Sequence, residues 1–457
     1  MNNNIFYQFL IIFITLSLII AEKKVKKKKT KINPQKHNKE DEITSLYKWA
    51  EKNNIFINDK LNLNKKLDSS HNFYYFTSND SIKNDTVLLR VPYEIMISQS
   101  SLEKHFKEKG NKKFSLLWNK ILEHKNPHIS YFSTKQFLYM AIIIEDSINK
   151  KKGSLYQKYK PYFDMYEYMN LDNFPVFYDE EEKYYLSPSS LGYELNQAIE
   201  SLKEEYYIVK NDLQISTPIE DDFLKYRVLT LANSLSFNDT NFNQSAVIPF
   251  LDCFNKVVFN INASAEYSFK KDNNSNYYFE IKAIRDISKN EEIYLKWMKL
   301  SNNDCLIYYG FIEKENNLAP TFYIYVFNNL FKQDMGIDTK KEFNDIMNRG
   351  LYELNTELFN PDVIGSYKNL SELFDKYKNK PEGKYEMMAD NLKYYLDIYD
   401  TQFSDGNINL YLKGNKKIDY IKTIMKLEKR LIQNKINYIK KVIKDIQEGK
   451  NDPLEDL

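Results

Sequence analysis

The polar and aromatic side chains that could do chemistry concentrate between residues 247 and 312. The stretch VIPFLDCFNK is a short apolar run ending in a polar turn, so we expect Asp252 and Asn255 to be exposed at its tip. The stretch SNNDCLIYYGFI carries Tyr308 and Tyr309, whose phenol oxygens can donate and accept hydrogen bonds. These amide, carboxylate and hydroxyl groups are the first candidates for a functional site.

A third stretch, FEIKAIRDISKNEEIYLKW, lies between the other two. Apolar residues at Ile281, Ala283 and Ile287 predict a strand that runs into a turn at 288–290, followed by a second short strand. The stretch ends at Trp297, whose indole N–H can donate a hydrogen bond but which has no oxygen.

These three stretches, in this order, resemble the second half of a SET domain. The matching patterns are "P-x-x-D-x-x-N", "A-x-x-x-I-x-x-x-E-E-I-x-x-x-aromatic" and "S-N-x-x-x-L-x-x-Y-G-F". The subgroup they resemble is the Rubisco large-subunit methyltransferase-like group of protein-lysine methyltransferases. The resemblance implies an α+β fold, in which a SET β-fold carries an inserted helical lobe and an all-α C-terminal lobe of the substrate-binding type.

The resemblance also implies a cofactor, S-adenosylmethionine, and a protein lysine as substrate. By position, Asn255 matches the Asn that holds the amino-acid end of the cofactor, and Asp252 matches the Asp before it. Tyr309 matches a wall of the lysine channel. Simpler interpretations remain open, since Asp252 could be a turn or helix-capping carboxylate and Tyr309 could be core packing.

Several positions depart from the family pattern. Lys256 stands in place of the family's His, Leu235 in place of an Arg that would pair with the cofactor carboxylate, and Trp297 in place of the usual catalytic Tyr. A glycine pair in the first SET strands is also absent, and aromatic residues including Tyr75 occupy its region, where we expect a narrower cofactor site. If the chain is active, Tyr309 or Tyr308 has to supply the missing hydroxyl.

The rest of the chain suggests the order of the domains. We predict the N-terminal part of the SET domain at 41–110, a helical insert at 111–235, the C-terminal part of the SET domain at 236–315 and the helical lobe at 316–457. The Asn-rich stretches 238–245 and 264–276 are predicted to be polar loops. A long amphipathic helix is expected from 418 to 446, with a partner-binding coiled-coil helix as its alternative interpretation.

The N-terminus has the pattern of a targeting segment. An apolar run within residues 1–21 suits a signal peptide, with an uncleaved membrane anchor as the alternative, and residues 22–40 form a lysine-rich leader. The leader is either a basic spacer or a transit peptide. We therefore expect the secretory pathway, with the plastid as one destination and the endoplasmic reticulum or secretion as the alternative.

Composition limits the class of function further. The nine lysines and two glutamates of residues 1–40 carry more positive charge than the whole chain, whose net charge is +2, so the body is mildly acidic. Such a body argues against a nucleic-acid partner. Cys253 and Cys305 are the two cysteines, and their spacing suggests neither a metal site nor a disulfide framework. We expect a monomer that contacts a membrane only through an uncleaved N-terminal segment.

Three hypotheses therefore follow from the sequence. The chain is a protein-lysine N-methyltransferase with an unusual site, or a non-catalytic SET-like protein that binds a protein partner, or a structural protein of the secretory pathway with only ancestral similarity. The resemblance favours the first, and the chemistry of the changed residues favours the second.

Overall fold

We describe the fold from a computed structural model of the chain. It describes residues 39–65, 74–130, 132–167, 169, 171–186, 189–216, 220–239, 242–258, 263–272, 276–313, 323–324, 352–353, single positions between 382 and 400, and 417–450. The predicted signal peptide, nearly all of the basic leader and most of the predicted C-terminal lobe lie outside these residues. In the described part of the chain, no helix combines the length and the apolar character needed to cross a bilayer.

The strands of the described residues lie in four sheets. They are β1 (Phe56–Ile57), β2 (Leu61–Lys65), β3 (Tyr74–Ser78), β4 (Val87–Pro92), β5 (Ile97–Ser98), β6 (Ser234–Asp239), β7 (Phe242–Val247), β8 (Asn255–Val257), β9 (Ala265–Lys271), β10 (Tyr277–Ala283), β11 (Tyr294–Lys296), β12 (Tyr323–Ile324) and β13 (Tyr352–Glu353). The main sheet has six strands in the order β1-β4-β10-β9-β11-β8. The others are the pairs β2–β3 and β12–β13 and the three-stranded sheet β5-β7-β6.

The helices of the described residues lie mainly between β5 and β6. In chain order they are α1 (Lys39–Lys52), α2 (Gln99–Glu108), α3 (Lys113–Glu123), α4 (Phe132–Lys150), α5 (Ser154–Glu167), α6 (Glu180–Leu186), α7 (Ser190–Tyr207), α8 (Glu220–Ala232), α9 (Asn302–Tyr309) and α10 (Ile418–Gln447). The chain divides within α1, between Tyr47 and Lys48, into a short N-terminal unit and a large unit that contains everything described below.

The main sheet explains why widely separated parts of the sequence meet. Strands β9 and β10 form an antiparallel hairpin, and β10 pairs with β4 on its other side. Phe279, Ile281 and Ala283 alternate inward along β10 and are fully buried, as the sequence predicts for a half-buried strand. Strand β11 runs parallel to both β8 and β9, so it lies between the hairpin and the segment that carries the polar turn.

A buried ion pair joins two helices of the insert. Arg227 of α8 donates from Nε and Nη2 to the two carboxylate oxygens of Glu205 of α7, at 2.7 and 3.1 Å. Both side chains are almost completely buried, so loss of one partner would leave an uncompensated charge in the core. Because α8 ends at Ala232, this pair also fixes where the end of that helix lies.

The long helix α10 buries one stripe, as its sequence predicts. Ile421, Ile424, Ile439 and Val442 are buried and belong to a hydrophobic cluster that includes Leu306 of α9. Hydrophobic burial along this stripe therefore attaches α10 to the helix that carries Tyr309. Leu431, expected in the same stripe, lies outside the residues whose side chains are described.

Two predicted loops are strands in the structure. The stretch 238–245 contributes to β6 and β7, and the stretch 264–276 contains β9. The prediction was wrong because asparagines suggested loops, although the second stretch has a two-residue alternation at Ala265, Tyr267 and Phe269. In β9 the aromatic rings of Tyr267 and Phe269 pack against the neighbouring strand at Phe279, at 5.8 and 5.3 Å between ring centroids.

Candidate functional site

The polar turn before β8 is folded inward. Phe250 begins a short 3-10 turn, Leu251–Cys253, with a left-handed backbone (φ 69°) that a non-glycine residue rarely adopts. Its ring is fully buried beside the ring of Phe76, which also packs on Phe254 at 4.9 Å. Asp252, between these aromatics, is 2% exposed. The expectation that Asp252 is exposed at the tip was therefore wrong, because apolar burial on both sides pulls the turn into the core.

Asp252 is surrounded by groups that modify its ionisation. The Tyr162 hydroxyl of α5 donates to its Oδ1 at 3.4 Å, and the Tyr162 and Tyr166 hydroxyls lie 3.2 Å apart. Burial raises the pKa of Asp252 to about 6, and the nearby ammonium of Lys256 opposes that rise. Asp252 does lie within a turn, as its simpler interpretation has it, but the turn is buried.

Adjacent residues of β8 serve opposite faces of the sheet. Asn255, Lys256 and Val257 pair in parallel register with Tyr294, Leu295 and Lys296 of β11. Successive side chains of a strand point to opposite faces. The Asn255 amide therefore reaches one face, and the Lys256 side chain reaches the other, where Leu295 and Trp297 are buried.

The Lys256 ammonium lies over two aromatic rings. Its Nζ is 5.0 Å from the ring centroid of Trp297 and 5.7 Å from that of Tyr309, both within the range of a cation–π contact. It also donates to the carbonyl of Ala232, the last residue of α8, at 3.3 Å. That carbonyl belongs to the negative end of the helix dipole. The residue keeps some exposed surface, whereas its ammonium is deeply enclosed, and burial lowers its pKa to about 8.

Trp297 and Tyr309 meet edge to face. Their ring centroids are 5.4 Å apart at an interplanar angle of 77°, and the Tyr267 ring lies 5.6 Å from Trp297 on another side. Among the described residues, the buried indole N–H of Trp297 makes no hydrogen bond of normal geometry. It lies near enough to the Tyr309 hydroxyl to oppose the effect of burial on the pKa of that phenol. Burial is the larger effect and raises the pKa of Tyr309 to about 12, so that phenol stays protonated at neutral pH.

Tyr309 is held in place by the boundaries of helix α9. Ser301 and Asp304 form a capping box at its start, in which the side chain of each accepts the backbone N–H of the other. Gly310 ends the helix with φ 71°, and its position leaves no room for a Cβ, which would lie 2.9 Å from the Phe174 ring. The Y-G-F motif therefore sets where the Tyr309 ring lies.

The other face of β8 carries a separate polar cluster. The Asn255 amide donates to one carboxylate oxygen of Glu292, and the Tyr294 hydroxyl donates to the other at 3.2 Å. Asn255, expected to hold the amino-acid end of a cofactor, thus has its amide nitrogen bound by a carboxylate of the same chain.

The structure brings together part of the predicted site. Asp252, Lys256, Trp297 and Tyr309 lie in one contact region, whereas Asn255 faces the other side of the sheet. Three predicted site residues lie outside this contact region: Tyr308, which is 41% exposed; Tyr75, half-buried on β3 and paired with Asn64; and Leu235, buried on β6 opposite Ala246.

Sequence reasoning missed two residues of these clusters, Tyr267 and Glu292. Tyr267 lay in a stretch predicted to be a loop, although the period-two pattern Tyr267–Phe269 could have revealed it. Glu292 is the second acid of the E-E-I motif, and its two-residue spacing from Tyr294, the first residue of β11, places both side chains on one side of the chain. No group of three or more metal-ligating side chains occurs among the described residues.

Comparison with solved structures identifies the fold. The chain is similar to the SET domain of LSMT bound to lysine and AdoHcy, with a TM-score of 0.61, 15% identity, and coverage of 90% of this chain and 94% of that one. It is similar also to Rubisco LSMT bound to AdoMet, with a TM-score of 0.60, 15% identity, and coverage of 89% and 93%. No protein-family model matches the sequence, and no curated protein matches it.

The chain therefore has the fold of the SET-domain lysine methyltransferases, and the predicted fold class, α+β with a SET β-fold and helical lobes, is confirmed. The two solved structures named above are bound to AdoHcy and to AdoMet. The residues present here do not fit that cofactor in the expected way. The Asn255 amide is bound to Glu292, and position 235 offers a buried leucine in place of a guanidinium. The site also contains a buried ammonium and an indole N–H that makes no hydrogen bond of normal geometry among the described residues.

Proposed function

We propose that this chain is a SET-fold protein that binds a protein partner at the region around Trp297 and Tyr309 and does not transfer methyl groups. The observation that carries the proposal is the position of the Lys256 ammonium, 5.0 Å over the ring of Trp297. Trp297 itself stands where the family pattern has a tyrosine. The charge of Lys256, the hydrogen-bonding groups of the site and the space that the Trp297 ring occupies each support the proposal.

Charge opposes a sulfonium ligand at this place. Two unit positive charges about 5 Å apart repel by about 3 kcal/mol at an effective dielectric constant of about 20. A sulfonium near the Trp297 ring would meet the Lys256 ammonium, while the family's histidine would be largely neutral at pH 7. While its ammonium lies over the rings, Lys256 therefore disfavours the methyl donor.

Hydrogen bonding is also unsuited to methyl transfer. Transfer to an amine needs a deprotonated amine in line with the donor and oxygen atoms that stabilise the methyl as it moves. The Trp297 side chain supplies a buried N–H donor and no oxygen. Its ring also fills the space between Tyr267 and Tyr309.

Binding to a protein partner is the function that the remaining features suit. A solved structure with this fold is bound to lysine, and the aromatic surfaces that would contact such a side chain persist here as Trp297 and Tyr309. Aromatic faces attract an ammonium group without any chemistry being required. Loss of the transfer step therefore does not imply loss of lysine recognition.

An active methyltransferase is the second candidate, and one observation favours it. The Tyr309 phenol is protonated at neutral pH, since its pKa is about 12, and it lies against Trp297. It is therefore placed to supply the hydroxyl that Trp297 lacks. This alternative predicts turnover that the Tyr309→Phe variant loses.

Calorimetric titration of the full chain with S-adenosylmethionine, followed by a methyl-incorporation assay on peptide arrays, tests the proposal. We expect no binding heat at millimolar cofactor and no incorporation. Micromolar binding with incorporation that Tyr309→Phe abolishes would establish the second candidate and overturn the first. Thermal melting of both proteins provides the control for folding.

A further inference from the structure

The position of Lys256 resembles that of a ligand more than that of a core side chain. The faces of Trp297 and Tyr309 converge on its Nζ from two directions, because their planes are 77° apart. Tyr267 packs against the Trp297 ring, with 5.6 Å between the ring centroids, and helps to hold that ring in place. Converging aromatic faces around one ammonium are the arrangement by which proteins bind methylated ammonium groups.

A primary ammonium is an imperfect occupant of this place. It carries three N–H donors, and among the described residues Lys256 Nζ makes its hydrogen bond to the Ala232 carbonyl at 3.3 Å, near the upper limit for such a bond. A trimethylated ammonium keeps the charge that the rings attract and has no N–H group to satisfy. The surroundings therefore suit a methylated ammonium better than the group now there.

Lys256 can also leave without unfolding the site. It is partly exposed and reaches the rings through a flexible four-carbon stem. The buried carboxylate of Asp252 attracts its ammonium, and it would also attract a methylated ammonium that took its place. Tyr309 is itself partly exposed, so one of the two rings reaches the surface.

We propose that Trp297 and Tyr309, with Tyr267 packed behind Trp297, form an aromatic cage for the methylated lysine side chain of a partner protein, and that Lys256 is the chain's own occupant, which the ligand displaces. The inference rests on the proposed function, because it specifies the group that the non-catalytic site binds. It makes the affinity for a methylated lysine depend on a competitor within the same chain.

The test is a calorimetric titration of the full chain with capped trimethyllysine, capped lysine and the neutral carbon analogue of trimethyllysine. We expect binding in the order trimethyllysine, lysine, neutral analogue. The Lys256→Met variant vacates the cage and should bind trimethyllysine at least tenfold more tightly. Lys296→Met, on the opposite face of the neighbouring strand, should bind as the unaltered chain does. Adding Trp297→Leu to Lys256→Met should abolish binding.

A second arm needs no variant. Raising the pH from 7 to 9 removes the charge of Lys256 but not that of trimethyllysine, so binding by the unaltered chain should tighten and binding by Lys256→Met should not. The other titratable groups around Lys256 keep their protonation state between pH 7 and 9. Asp252 is already ionised, and burial raises the pKa values of Cys253, Tyr267 and Tyr309 above it.

Two results would overturn the inference. One is equal affinity of a folded Lys256→Met and the unaltered chain for trimethyllysine, together with no change between pH 7 and 9. The other is equal binding of the neutral analogue, which would make the site merely apolar. Both differ from failure of the proposed function, which would appear as cofactor binding and methyl incorporation.

Discussion

The Nζ atom of Lys256 lies 5.0 Å over the ring of Trp297, so two departures from the SET-domain pattern are in contact with each other. In the sequence they are forty-one positions apart and look independent. In the structure, β8 and β11 run side by side, and both residues face the buried side of the sheet. An ammonium and an indole stand where the family pattern has a histidine and a tyrosine, and we infer that the two substitutions stabilise one another.

A double-mutant cycle measures that contact. Lys256→Met and Trp297→Leu should each change the free energy of unfolding, and the double variant should differ from their sum by about 0.5–2 kcal/mol, the usual range for a partly desolvated cation–π contact. Urea denaturation of the four proteins gives the coupling. Lys296→Met with Trp297→Leu is the matched control and should show additivity, because Lys296 faces the other side. Additivity in the Lys256 cycle would contradict the contact.

Stability should depend on pH in a way that Lys256 controls. Burial lowers its pKa in the folded chain from 10.5 to about 8. Between these values the unfolded chain holds more protons at this site than the folded chain does, so this group's contribution to stability rises with pH. Subtracting the pH profile of Lys256→Met from that of the unaltered chain should leave a positive slope from about pH 8 to 10.5. A flat difference would place the pKa of Lys256 near its ordinary value.

Gly310 should be much less tolerant of a side chain than Gly110. Both have left-handed backbones, so Gly110→Ala, with nothing within 4 Å of the added Cβ, should cost about 1 kcal/mol through backbone strain alone. In Gly310→Ala the Cβ would also meet the Phe174 ring at 2.9 Å, and we expect a loss of about 2–4 kcal/mol. Thermal unfolding of both variants checks this, and equal losses would mean that the ring yields freely.

The Asn255–Glu292 cluster should act as one unit. Glu292→Ala removes the acceptor of both the Asn255 amide and the Tyr294 hydroxyl, and we expect a loss of about 1–3 kcal/mol in the free energy of unfolding. Glu292→Gln retains an acceptor oxygen and should lose less. Glu266→Ala, which removes an exposed carboxylate from β9, serves as the control and should stay within about 0.5 kcal/mol. A loss of unfolding free energy no larger than that of the control would show that the hydrogen bonds of the cluster do not stabilise the fold.

The fold was more accessible from the sequence than the site was. Burial could be predicted from the alternating apolar residues of β10 and from the apolar stripe of α10, and the ends of α9 from the S-N…Y-G-F segment. These properties depend on residue types within a short stretch of sequence. Strand β9 was missed because its flanking asparagines resemble loop composition, while the packing of Tyr267 against Phe279 depends on a partner strand. The domain boundaries stay predictions, as do the leader and its destination.

The site was only partly predictable for a related reason. Residue types identified Lys256 and Trp297 as unusual, but their contact depends on which face of each strand they occupy. Asp252 was expected at the surface because a carboxylate in a turn usually is, whereas the buried rings of Phe250 and Phe254 draw this turn inward. The E-E-I motif did not predict the pairing of Glu292 with Asn255, because that pairing depends on the parallel register of β8 and β11.

The most direct measurement is the NMR signal of the Lys256 ε-methylene group in the full chain labelled with 13C-lysine, assigned by its loss in Lys256→Met. With the ammonium over Trp297 and Tyr309, we expect its protons to be shifted upfield by the rings and to titrate near pH 8, and the shift to vanish in Trp297→Leu. An ordinary lysine shift with a titration midpoint near 10.5 would contradict the occupied cage and the function proposed from it.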